Sequence, residues 1–308
     1  MIQDRPMIGI ALMVGFCLLA PMGDAVAKVL GSSVPLGQVV TIRFALQALV
    51  LIPLVWWSGR NWHMQGQVLW LTFLRTILHI IGIGGMFTAL KYLPLADAIA
   101  IAFIMPFFML LLGRFVLKEI VGPRRMGACL VGFIGTLLVI QPSFAAAGWP
   151  ALLPVFVAAN FSLFMLLTRQ IAKKTDPIGL QAVSGVMAVV ILVPFTVVGH
   201  FMDVAALSII APNNVQWLLL IGLGTLGTAA HLLMTWSLRF APSATLAPMQ
   251  YLEIPFATIL GLVFFGDLPN PLAGLGIAIT VAAGLYIILR ERATARQMTA
   301  QAPIQAAA

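Results

Sequence analysis

"VPLGQVVTIRFALQALVLIPL" (residues 34–54) and "DPIGLQAVSGVMAVVILVPF" (residues 176–195) follow one pattern, with Pro35 and Gly37 standing 142 positions before Pro177 and Gly179. Each proline opens its stretch, where a missing N–H costs a helix little, and a long apolar run follows. The correspondence continues outward from this pair. Lys91, Pro94 and Glu119 recur as Arg239, Pro242 and Asp267, each 148 positions on, while Pro106 and Gly135 recur as Pro255 and Gly284, 149 on. The chain reads as a duplication.

Composition places both copies in a membrane. Of 308 residues, 61% are hydrophobic and 8% charged, with a mean hydropathy of +1.06. Soluble domains carry about 25% charged residues, so a large soluble core is excluded. A spanning helix needs about 20 mostly apolar residues. Such segments run over 7–27, 35–57, 67–90, 94–112, 125–141, 148–168, 178–199, 215–238, 242–265 and 271–289. The first lacks a convincing small-residue cleavage site and nine more follow, so it reads as a span, not a removable signal peptide. Cys17 and Cys129 sit inside apolar segments and read as small hydrophobes. No metal or cofactor is expected. The net charge of +8 sits in short loops instead of one basic face, so no nucleic-acid partner is expected either.

Lys and Arg are unevenly shared between alternate loops. With the N-terminus inside, only Lys28 and Lys91 fall outside, which by the positive-inside rule makes both termini cytoplasmic. Five spans per copy is an odd number, so the second copy must be inverted. The loops agree: "GRFVLKEIVGPRR" (113–125) is basic, whereas its counterpart "FGDLPNP" (265–271) has no basic residue. The expected fold is an all-α integral membrane protein with ten transmembrane helices in two inverted five-helix repeats, residues 7–141 and 148–290. A cytoplasmic tail over 291–308 is expected to be disordered. Ala128, Gly132 and Thr136, then Gly276, Thr280 and Gly284, form small-residue rows that let helices approach closely. Inverted repeats meeting around a midplane site are a common transporter architecture.

Ten spans in two copies, with Pro106, Lys118-Glu119, Gly127 and Gly135 in the first and Pro255, Gly266-Asp267, Gly276 and Gly284 in the second, resemble the drug/metabolite transporter superfamily, and within it EamA-type proteins. "TIRF" at 41–44 is similar to the family too. The second copy departs from the pattern with Asp267 for the usual Glu and Gly185 where Arg43 would repeat. The resemblance covers roughly residues 8 to 290. It implies a carrier in the bacterial cytoplasmic membrane with a central cavity and alternating access, and relatives that move amino acids, riboflavin, S-adenosylmethionine and other small metabolites.

Polar groups inside the spans are the candidate site, because charge in lipid is costly and is kept for function or pairing. Glu253 is eleven residues past Pro242, about 16 Å along a helix and near the midplane. With Pro255, Gln250 and Tyr251 it is the first candidate, as a ligand for a cationic group or a proton carrier; a permanent salt bridge to Arg43 or Arg75 is the alternative. Arg43 and Arg75 could each hold a carboxylate or phosphate by the guanidinium fork. His79 shares a helix face with Arg75; His79 and His231 could titrate near neutrality or simply bond a neighbouring helix. Asn160 is either a ligand or an interhelical hydrogen bond, and Trp236 a candidate cavity wall. Pro106 and Pro255 are expected helix breaks. Asp97, in the first turn after Pro94, is stabilised by the helix dipole and placed at the outer mouth, as is Asp24, which stands four residues from Lys28 and is read as its partner in a mouth-level ion pair.

The leading expectation is a secondary transporter for a small polar or amphiphilic metabolite, proton-coupled or working by exchange; a homodimer is compatible with it. A vitamin importer, for riboflavin or similar, is the alternative within the family. An enzyme is not expected, since H-E-x-x-H, P-loop and G-x-S-x-G motifs are lacking. A non-transporting receptor or assembly protein is the alternative from another class.

Overall fold

The computed structural model describes residues 5–118 and 122–305, so Glu119 lies outside the described residues and Pro106 outside the described side chains. The elements are α1 (Pro6–Leu30), α2 (Leu36–Trp57), α3 (Gly66–Ala89), α4 (Leu95–Ala102), α5 (Met105–Phe115), α6 (Pro123–Ala147), α7 (Leu153–Ala172), α8 (Pro177–Phe201), α9 (Asn214–Phe240), α10 (Ser243–Leu246), α11 (Glu253–Phe265) and α12 (Pro271–Gln305). There is no strand among the described residues. Among the described residues, eight segments are long and apolar enough to cross a membrane, α4 and α5 together making one of them; Met249–Phe265 and Pro271–Tyr286 are shorter apolar helices. The protein is a multi-pass integral membrane protein.

The helix ends follow from local chemistry. Pro6, Pro123, Pro177 and Pro271 each open a helix, where no intrahelical N–H is lost. Asp176 caps α8 by accepting from the N–H groups of Ile178 and Gly179 at 3.0 and 3.1 Å and takes Arg60 at 2.9 Å. Asn213 and Gln216 close a capping box on α9.

Two of the expected spans are broken. The 94–112 segment ends its first helix at Ala102 and starts again at Met105. Pro106 stands at the second position of α5, where it has no N–H to offer the Ala102 carbonyl. The 242–265 segment is a short helical turn, then a 3₁₀ stretch over Ala247–Leu252, then α11. Glu253 therefore begins a helix instead of lying in the middle of one, which corrects the continuous-helix reading. α12 continues to Gln305, as its Ala, Arg, Gln and Met content favours.

α1 packs on α9, α3 on α7, α2 on α8, α4 on α11 and α6 on α12. The α6–α12 contact is close because a Cβ at Gly135 would sit 2.6 Å from the Gly276 carbonyl oxygen. Backbone cannot yield as a side chain can, so Gly135→Leu should cost about 3 kcal/mol or more. The measurement is the apparent melting temperature and folded yield in detergent; an unchanged melting temperature would show that the two helices can separate there.

The interior has two main apolar clusters. One gathers Leu30, Phe44, Phe87, Leu95, Ile99 and Phe103; the other is rich in methionine, with Met13, Met105, Met109, Met165, Met234 and Met249.

Candidate functional site

A cavity of about 90 Å³ lies where these two clusters meet. Phe87, Ile99, Phe103 and Leu223 line it from the first cluster, Phe16, Met105, Ala158 and Ala230 from the second. Four ionisable side chains face into this apolar chamber: Asp24 from α1, Arg43 from α2, His231 from α9 and Glu253 from α11.

Arg43 is 2% exposed. Its guanidinium lies 4.7 Å over the Phe44 ring and against Gly227, where a Cβ would come within 2.9 Å of its Nε. Glycine makes the room the guanidinium occupies. One terminal nitrogen, Nη1, has no hydrogen-bond partner. Asp24 interacts electrostatically with both Arg43 and Glu253. Glu253 is 7% exposed. Among the described residues neither carboxylate has a basic group within 4.0 Å. The alternative reading, a salt bridge from Glu253 to Arg43 or Arg75, is not formed among the described residues. Buried charges are ordinarily paired or fully hydrogen-bonded, and here buried Arg43 and Glu253 share a cavity with half-buried Asp24 with no salt bridge between them among the described residues.

Behind Arg43 the two membrane histidines meet. His79 Nε2 and His231 Nε2 are 3.1 Å apart and the ring centroids 4.1 Å. So short a contact requires one ring to donate and the other to accept. Both Nδ1 atoms lack partners. His79 is fully buried and does not reach the cavity; His231 does.

Arg75 is a different kind of arginine. It is fully buried, donates to Thr168 Oγ1 at 2.7 Å and Ser184 Oγ at 2.9 Å, and lies 4.5 Å over the Phe164 ring. It joins α3, α7 and α8 and stands outside the cavity wall. Asn160 donates to the Leu78 carbonyl at 2.7 Å, an interhelical bond from α7 to α3. Gln250 donates to Met165 Sδ at 3.0 Å inside the methionine cluster. The Tyr251 hydroxyl donates to the Cys129 carbonyl at 3.3 Å, and Trp236 packs near Leu51, Val55 and Ile178. Asn160, Gln250, Tyr251 and Trp236 do not line the cavity. Pro255 follows Glu253 by two residues in the first turn of α11.

At one end of the bundle, Lys28 Nζ contacts Asp267 Oδ2 at 3.3 Å and donates to the Leu93 carbonyl at 3.0 Å. This corrects the reading that paired it with Asp24, which faces the cavity instead. Asp97 joins the same end, accepting from Ser143 Oγ at 2.7 Å. Lys28 and Asp267 are 19% and 32% exposed, so their bond is worth at most about 1 kcal/mol.

Three kinds of likeness bear on this arrangement. A riboflavin transporter of Rhizobium johnstonii is 29% identical over 74% of this chain and 73% of its own length. An S-adenosylmethionine uptake transporter of Rickettsia felis is 25% identical over 87% of this chain and 88% of its own. A solved crystal structure has a TM-score of 0.68, covering 94% of this chain and 98% of that one at 19% identity, which shows that the fold is shared. The EamA-like transporter family matches twice, over residues 7–141 and 148–290. Each match covers one copy of the pattern first seen in the paired Pro-X-Gly stretches, and on this the chain belongs to the EamA-like transporter family.

Proposed function

We propose that the protein is a secondary transporter that moves a small metabolite across the cytoplasmic membrane by alternating access, with the charged cavity as its substrate site. The observation that carries this reading is the cavity itself: Asp24, Arg43 and Glu253 face one chamber inside a membrane bundle without contacting one another. A purely structural role would have joined them; a site that must bind and release leaves them open for a ligand.

The proposed architecture is ten spans in two inverted repeats, with both termini cytoplasmic. α1, α2, α3, α4–α5 and α6 form the first copy, and α7, α8, α9, α10–α11 and α12 the second. Exchanging the copies carries the α1–α9 contact onto α3–α7 and leaves α2–α8, α4–α11 and α6–α12 each paired with itself, as a two-fold relation requires. The breaks before α5 and α11 fall at equivalent places, and discontinuous helices beside the site are a transporter feature. The Lys28–Asp267 link closes the outer end. It is weak enough to open during the cycle, while the methionine cluster, soft and adaptable, closes the inner half.

Purified protein in liposomes, screened with labelled metabolites with and without a proton gradient, tests the reading. Saturable uptake of at least one is expected; folded protein that moves none would leave the receptor or assembly class standing. A second reading, a riboflavin carrier, rests on the rings of Phe16, Phe87, Phe103 and Phe161 lining the cavity, which suit a planar apolar ligand, and on the Rhizobium relative.

A further inference from the structure

Resting on the transporter reading, the Pro-X-Gly stretches of the two copies have a role in the transport cycle. Gly37 and Gly179 stand near the starts of α2 and α8, and each receives a loop from the other copy. After α2, the chain over residues 58–65 crosses onto the start of α8. A Cβ at Gly179 would collide with the Asn61 carbonyl oxygen and come within 3.2 Å of Trp62 Cα. Arg60 fastens this loop to Asp176 at 2.9 Å, and Trp62 packs beside Leu51, Val55, Ile178 and Ala182. After α8, the chain over residues 202–213 crosses onto the start of α2. A Cβ at Gly37 would come within 2.6 Å of Leu207 Cδ2 and 3.3 Å of the Ala206 carbonyl oxygen. Gln38 fastens this loop with both ends of its amide, donating to the Ile210 carbonyl at 2.9 Å and accepting from the Ile210 N–H at 3.0 Å.

The seam between the two loops is bonded as well. The hydroxyls of Thr41 and Thr196 are 3.0 Å apart, and Gln47 donates to the Gln181 carbonyl at 2.8 Å. Gly185 lets the backbones approach, since a Cβ there would sit 3.1 Å from the Ala48 nitrogen. Polar bonds inside the bilayer have no water to replace them once broken, so α2 and α8 part only by losing all of these together. No residue of α8 lines the cavity and α2 gives it Arg43 alone, whereas α1, α3, α7 and α9 each supply several. We propose that the two loops are straps that hold α2 and α8 together through the whole cycle, so that the cavity opens and closes by movement of the other helices against this fixed seam. Glycine at 37 and 179 seats the straps. The half-exposed Lys28–Asp267 contact, which ties α1 to the chain before α12, is one that must break.

Reversible cross-linking separates fixed contacts from moving ones. The full chain, with buried Cys17 and Cys129 replaced by alanine, carries one of three pairs of substitutions: Gln38→Cys with Ile210→Cys, Arg60→Cys with Asp176→Cys, or Lys28→Cys with Asp267→Cys. A short membrane-permeant bis-methanethiosulfonate joins each pair and reduction releases it. The readout is uptake, in proteoliposomes, of the labelled metabolite that the parent protein moves fastest. Joining either strap pair should leave uptake unchanged, or restore it where the substitutions themselves have lowered it, because the link replaces the lost bond. Joining the Lys28–Asp267 positions should stop uptake until reduction. Three results would overturn the proposal while leaving transport itself standing: arrest on joining a strap pair, a substitution defect that joining does not restore, or uptake that survives all three links. Folded parent protein that moves no metabolite would remove the transporter reading, and the straps' role with it.

Discussion

Arg43→Met should abolish transport and at the same time raise the apparent melting temperature of the unliganded protein. The two effects point in opposite directions because Arg43 is buried with an unpartnered nitrogen and no carboxylate within 4.0 Å among the described residues. Desolvating a charge costs several kcal/mol, and apolar replacements of buried ionic groups commonly stabilise by about 1–4 kcal/mol. Met fills much of the same volume against Phe44 and Gly227. The trade of stability for function is the general one for sites that hold a strained group ready. Thermal denaturation in detergent and initial uptake rates check the pair of effects. A fall in melting temperature of the same size would mean that attraction to Asp24 holds the bundle together, and the residue would become structural.

Arg75→Ala should do the reverse. Its side chain bridges three helices through Thr168, Ser184 and the Phe164 face, and truncation leaves a hole of arginine size in a closed interior. Large-to-small core changes cost about 3–5 kcal/mol; relief of the charge's own desolvation offsets part of this, so about 3 kcal/mol of destabilisation is expected. The yield of folded protein should drop, while transport per folded molecule falls far less than in Arg43→Met. Full stability with transport abolished would place Arg75 against the ligand in another state of the cycle.

The difference between these two arginines was not readable from the sequence, where both are lone cations at similar depth. What separates them is which partners other helices bring: two hydroxyls from α7 and α8 for Arg75, a glycine from α9 for Arg43. Glu253 was found because a carboxylate in an apolar segment is conspicuous whatever its neighbours. Gln250 and Tyr251 were grouped with it by nearness in the chain, but residues 247–252 form a 3₁₀ stretch, which turns 120° per residue instead of 100°. They point into the methionine cluster and towards α6 instead. Asp24 was matched to Lys28 by helical spacing, yet Lys28 reaches Asp267, 239 residues away. The histidine pair carried no repeat signal: His79 and His231 are 152 positions apart, which misses the 148-residue offset of the neighbouring Lys91 and Arg239. Gly227, which makes space for Arg43, had no such signal.

The two breaks belong to the same lesson. Pro106 and Pro255 marked them, since proline removes a backbone bond wherever it stands, but hydropathy alone ran one helix through each. The break puts Glu253 at the start of α11, directly after the 3₁₀ stretch and with its own N–H bonded back to the Gln250 carbonyl.

Solute counterflow in proteoliposomes tests the central claim most directly, because it needs a binding site that faces each side in turn and no driving ion. Vesicles preloaded with an unlabelled metabolite that the parent protein takes up should transiently accumulate its labelled form above the external concentration, and Arg43→Met vesicles with folded protein should not. Counterflow of equal size in the parent and the variant would show that transport bypasses the charged cavity and would contradict the account.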